Sequence, residues 1–312
     1  MALPEVEIER MQEFAGHRGS IFALAADAAG RFLYSSGDDG VVVRWDLADP
    51  ELPGLALLRW ERSIYSLALA GEDLLAAGAS DGTLYLLSLS EQRLLFTFRK
   101  TSEPIYGLHY EAERGFLWIL YGRGSLSLLA LPSFEERGFL RVSTEHLRAA
   151  AAGPEGRFLY LGASDGHIYR LDTREGGKPQ RWQAHDSSVF SLLLMPDGGL
   201  LSGGRDAQLC RWYLGEEPPR RLERLPAHYF TLNHLCASPD GGHFLSASRD
   251  KTWKLWEYPS LRLLKVVDAA RQGGHRHSVN KITWLHSDNS VISCSDDRRI
   301  IRWRIQILDR GE

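Results

Sequence analysis

The sequence is poor in cysteine and methionine, with three of each in 312 residues. Cys210, Cys236 and Cys294 lie far apart and form neither a disulfide framework nor a C-x-x-C zinc site, which points to a reducing compartment. Long apolar runs are also missing. No stretch approaches the ~18 residues that cross a bilayer, and the acidic start MALPEVEIER lacks the apolar core of a signal peptide. Neither sign of charge dominates: 37 basic residues face 40 acidic ones, for a net charge of -3. That balance gives no reason to expect a nucleic-acid or anionic-membrane binder. No motif for a phosphate or a metal is read, and no nucleophile elbow is expected. The expectations are a cytoplasmic chain with no membrane partner and no cofactor, monomeric on its own.

What is present is apolar residue in short, repeated lengths. A hydrophobic fraction of 44% suffices for a sizeable core and argues against disorder. The length suits two average domains or one large all-β domain. The stretch Leu33 to Leu47, LYSSGDDGVVVRWDL, reads as a hairpin, with Asp-Gly as the turn and Val41–Val43 as strand. The pattern recurs. With Asp39 as anchor, six residues before Trp45, the same frame finds Asp81 in SDGTLYLL, Asp165 in SDGHIYRL and Asp206 in RDAQLCRW. It also finds Asp250 in RDKTWKLW and Asp297 in DDRRIIRW, and Arg123 of GRGSLSLL fills the remaining gap. The anchors at 39, 81, 123, 165, 206, 250 and 297 mark seven units with a period of about 42 residues.

Each unit holds an apolar strand, a polar turn such as PDGG at 196–199, a second strand, the anchor turn, a third strand and a more polar fourth. Four short antiparallel strands per repeat of ~40–45 residues are the mark of a propeller blade. The Gly-His and Trp-Asp signatures make the chain resemble the WD40-repeat family over nearly its whole length. The resemblance implies one all-β, seven-bladed propeller spanning 1–312. Only six fourth strands follow a third strand, so the N-terminus is expected to supply the seventh at 4–14, where VEIERMQEF alternates. LRAAAAG at 147–153 favours helix by propensity, but the frame assigns it to the first strand of blade 4. AARQGGHRH, before blade 7, reads as an extended loop.

A second regularity concerns polar residues. About 22 residues before the anchor stand His17, His185, His228 and His275, and four before it stand Ser35, Ser202, Ser246 and Ser293. These are also the blades with Trp45, Trp212, Trp256 and Trp303. Blades 2, 3 and 4 instead carry Ala77, Ile119 and Leu161 with Leu87, Leu129 and Leu171. Presence or absence together fits one hydrogen-bonded unit, because a half-built buried network costs more than none. The WD40 resemblance implies the same four tetrads, completed by Asp39, Asp206, Asp250 and Asp297. A hydrolase triad is disfavoured: an enzyme needs one nucleophile in one cleft, not four copies at one spacing. The pair His275 and His277 is the best metal candidate, and it reads more simply as one tetrad histidine and one loop histidine.

Such a wheel is expected to be a non-catalytic display platform for a protein or peptide, bound on the rim around the central channel. Two positions per blade are singled out there. Near the mouth of the first strand lie Phe22, Tyr65, Tyr106, Arg148, Phe190, Asn233 and Asn280; just before the anchors lie Arg205 and Arg249, with Asp38 and Asp296 of opposite charge. Aromatic residues and arginine are enriched in binding hot spots, and the arc suits a peptide with an acidic flank. A single-stranded nucleic acid held by the same aromatics and arginines is the alternative, and an enzyme using the channel the remote one. The one Trp-Asp, Trp45-Asp46, is not followed by the arginine that adaptors of cullin-type ubiquitin ligases often carry.

Overall fold

Seven four-stranded antiparallel sheets are arranged around a central channel in the computed structural model. It describes residues 4–49 and 51–308; the ends of the 1–312 unit and Pro50 lie outside the described residues. Blade 1 consists of Ile21–Ala26, Phe32–Gly37, Val41–Asp46 and Leu55–Arg59, running from the channel outward. The β-branched Val41–Val43 run forms the third strand, and Asp38–Gly40 the turn before it. Gly40 has φ +69°, and a Cβ there would lie 2.0 Å from the Trp60 carbonyl oxygen, so the turn requires glycine. The frame prevails over propensity at blade 4, where Leu147–Ala152 is the inner strand. Its alanines pair with Leu159–Gly162.

Blade 7 closes the wheel. Its sheet contains Val279–Trp284, Ser290–Ser295, Arg299–Leu308 and, on the outside, Glu5–Ala15 from the start of the chain. The closing strand thus begins and ends one residue later than the sequence suggests. The loop expected before blade 7 is more ordered than expected. Ala269–Gln272 forms a helical turn, because the Asp268 carboxylate accepts from the Ala270 and Arg271 amides and Gly273 supplies the left-handed exit.

The apolar residues collect between blades rather than within them. Each of seven buried clusters joins two neighbours, as where Tyr34 and Val42 of blade 1 pack on Ile64, Leu75 and Tyr85 of blade 2. A single blade is a sheet with two sticky faces, and only the ring buries both.

Candidate interaction site at the channel mouth

The four histidine blades are braced alike. In blade 6 the His228 Nδ1–H donates to Asp250 at 2.9 Å, the Ser246 hydroxyl donates to Nε2 at 2.7 Å, and the Trp256 indole N–H donates to that hydroxyl at 2.8 Å. His17, His185 and His275 make the same three contacts within their own blades. His275 therefore has both ring nitrogens occupied. In blades 2, 3 and 4 the corresponding positions are filled by buried Ala77 with Leu87, Ile119 with Leu129, and Leu161 with Leu171. Blade 4 keeps a remnant: Asp165 accepts from the Tyr169 hydroxyl at 2.6 Å and from Ser143, which occupies the histidine slot, at 3.4 Å. Arg123, the odd anchor of blade 3, has φ 53° and pairs with Glu103 at 3.3 Å. His228→Ala is expected to destabilise by about 1–3 kcal/mol, since Asp250 and Ser246 lose a buried partner. Denaturant unfolding measures it; an unchanged midpoint would remove the tetrad from the list of stabilising features.

The string G-x-S-x-G does occur, twice, at Gly78–Gly82 and Gly162–Gly166. A nucleophile elbow joins a strand to a helix. Both strings here join the second strand of a blade to its third, at the anchor turn. The Ser164 hydroxyl accepts from Arg148 Nε at 3.1 Å.

The mouth residues share a feature that sequence spacing does not reveal. In every blade the register of the first strand against the second slips by one residue, between Ile21 and Ala23, Ile64 and Ser66, Ile105 and Gly107, and so on around the ring. The skipped residues are Phe22, Tyr65, Tyr106, Arg148, Phe190, Asn233 and Asn280. Each is the unpaired residue of a β-bulge, a device that re-aims a side chain away from its regular face. None belongs to the clusters between blades, and all seven are half-buried.

Five of the seven form a continuous ladder. The Phe22 and Tyr65 rings meet edge-on at 5.4 Å, and Tyr65 and Tyr106 stack at 5.6 Å. The Arg148 guanidinium then lies 4.1 Å from the Tyr106 ring centre and 5.4 Å from that of Phe190. The asparagines stitch blades together instead. Asn233 donates to Ser278 and to the Val279 carbonyl; Asn280 donates to the Ile21 carbonyl and to Asp296. Asp38 likewise accepts from Ser63 at 2.8 Å. Arg205 and Arg249 are exposed and have no ion-pair partner among the described residues.

One feature of the rim is absent from the sequence reading. Tyr229 and Phe230, beside the Arg249 turn, are 90% and 61% exposed. The signal was legible: the loops after the other tetrad histidines read Arg18-Gly19, Asp186-Ser187 and Arg276-His277, and only this one places two aromatics there.

Comparison with known proteins agrees with this geometry. The family model described as "WD domain, G-beta repeat" matches residues 8–46, 176–212, 219–257 and 269–304. Those are the tetrad blades 1, 5, 6 and 7. Human "WD repeat-containing protein 90" is 23% identical over 96% of this chain and 18% of its own length. The "U3 small nucleolar RNA-associated protein 15 homolog" of Xenopus tropicalis is 26% identical over 68% of this chain and 41% of its own. "Protein tipD" of Dictyostelium discoideum is 24% identical over 94% and 48%. The chain thus spans less than half the length of each of these relatives. Repeats matched where the histidine braces stand, within a closed wheel of seven such blades, make this chain a member of the WD40-repeat family.

Proposed function

We propose that the protein is a non-catalytic scaffold that holds an extended peptide of a partner protein across the mouth of the channel. WD40 propellers are typically protein-interaction scaffolds. The observation that carries the specific reading is the bulge ring. Five of the seven register slips free aromatic or cationic side chains from the regular sheet faces, and these stack on one another instead of filling a core. Arg205 and Arg249 continue the arc with positive charge, and the exposed Tyr229 and Phe230 add apolar surface beside them. Apolar anchors with an acidic flank match that layout.

Selection of random twelve-residue peptides on the wild-type protein tests this. Enriched peptides are expected to combine apolar residues with Asp or Glu. Their synthetic versions should bind Tyr106→Ala or Arg148→Glu about 30-fold or more weakly, as loss of a ~2 kcal/mol hot spot requires. Asn280→Ala should matter less. Equal binding by a Tyr65/Tyr106/Phe190 triple-alanine variant that melts normally would move the site elsewhere. The RNA-associated name of the Xenopus relative and the arginine stacked on rings favour single-stranded RNA as the second ligand to try. Tight, steeply salt-dependent binding of a labelled oligonucleotide would replace the peptide reading.

A further inference from the structure

Four ladder residues, Tyr65, Tyr106, Arg148 and Phe190, also line a channel cavity of about 120 Å³. The residue after each bulge faces it. In five blades that residue is small (Ala23, Ser66, Gly107, Ala149 and Ser191), but in blades 6 and 7 it is His234 and Lys281. Arg148 reaches the same space from blade 4. Among the described residues no aspartate or glutamate lines it.

The basic groups are poorly partnered. The Lys281 ammonium has no hydrogen-bond or ion-pair partner among the described residues. The His234 Nδ1 is buried and has none. Arg148 has the Ser164 hydroxyl, the Tyr106 side chain and the Phe190 ring as partners, but no carboxylate among the described residues. Burial lowers the pKa of Lys281, and burial together with the nearby Lys281 charge lowers that of His234. Unpaired cations drawn out of bulk water destabilise a fold, and apolar replacements of similar size are often better tolerated. Five other blades solve the same position with a small side chain. The two that do not leave a basic, carboxylate-free recess open to the mouth.

We infer that the channel is a receptor for one oxyanion: a carboxylate or phosphate group, carried on a side chain of the peptide held by the rim, enters past the ladder and sits against Lys281, Arg148 and His234. This rests on the rim reading for the carrier but not for the anion site itself. The cavity has room for one such group, and a charge-assisted contact with each of two cations is the strongest interaction its walls offer.

Free anions test the recess without any peptide. Sodium phosphate and sodium acetate, compared with sodium chloride at constant ionic strength, are expected to raise the wild-type melting temperature by about 3–5 °C near saturation. Their relative affinities distinguish phosphate from carboxylate as the preferred group. Lys281→Met should abolish the response and melt, in chloride, at or above the wild-type temperature. Arg148→Gln should weaken anion affinity about tenfold, while Arg276→Gln, on the exposed loop, should leave it unchanged. In a selected peptide, Asp→Asn or Glu→Gln should cost about tenfold on the wild type and little on Lys281→Met. A wild type indifferent to both anions, or a Lys281→Met variant that responds as strongly, overturns the inference. Intact peptide binding in that case leaves the rim reading standing.

Discussion

Deleting residues 1–14 should lower the melting temperature by on the order of 10 °C or more and drive the protein into oligomers or aggregates. The strand Glu5–Ala15 pairs along Arg299–Leu308 from Glu5 with Leu308 to Ala15 with Arg299. It also completes two cores. Val6, 6% exposed, belongs to the blade 6–7 cluster; Phe14, 4% exposed, belongs to the blade 7–1 cluster and lies 5.6 Å from the Trp45 ring. Each such side chain contributes about 1.5–3 kcal/mol by burial, before any cavity is counted. A loss of about 5 kcal/mol corresponds to roughly 10 °C for a domain of this size. The deletion also uncovers the edge of a ten-residue strand, a template for pairing with other chains. Thermal unfolding with light scattering measures both effects. A truncated protein that stays monomeric and melts with the full chain would mean that the wheel does not depend on this closure.

A steep acid limb should be the second large effect. In Asp250, burial alone would raise the carboxyl pKa. Hydrogen bonds from His228, Thr252 and the Tyr229 amide, with the His228 ring's charge, outweigh it and hold the pKa far below the ordinary carboxylate value. Asp297 is held down in the same way through His275 and the Arg276 amide, and Asp39 and Asp206 are also lowered. A depressed carboxylate contributes stability above its unfolded pKa of ~3.9 and loses it as the pH falls towards the folded value. Four such groups make stability drop sharply below about pH 4. His228 adds an earlier, shallower loss. Burial lowers its pKa, so the unfolded chain binds the proton more readily as the pH falls through ~6.5. Denaturant midpoints from pH 7 to pH 2 should show both limbs. Asp250→Asn should start less stable at neutral pH and fall along a shallower slope below pH 4. An unaltered slope would mean that Asp250 does not carry the linkage.

The seven-blade frame was legible because it is written in local signals. Alternation along each strand, a turn at each anchor and polar residues that come and go together all follow from how one blade must hold itself. Even Ala149–Ala152, helical by propensity, gave way to the frame, since a wheel with a missing inner strand would leave two blade faces open. The same logic gave the closing strand, because a third strand with no fourth after it needs an outside partner.

Other features depended on what each segment packs against. A bulge is a relation between two strands, so neither the sequence IFALAA nor VNKITW announces that its second residue is unpaired. Only the slipped register shows that Phe22, Tyr65, Tyr106, Arg148 and Phe190 form one ladder while Asn233 and Asn280 are spent on neighbouring blades. The G-x-S-x-G strings are catalytic in appearance until the fold puts a strand, not a helix, after each. His234 and Lys281 look like ordinary strand residues until ring closure brings both to one cavity, whose described lining holds no carboxylate. Sequence by itself determined the repeat and the braces, since those rest on pairing within one blade's stretch of chain, and it determined the closure by the repeat's own count, which leaves one third strand without a fourth. Tertiary structure decided what the channel presents, because its wall takes one or two residues from each of seven distant segments, and their shared charge exists only once the ring has closed.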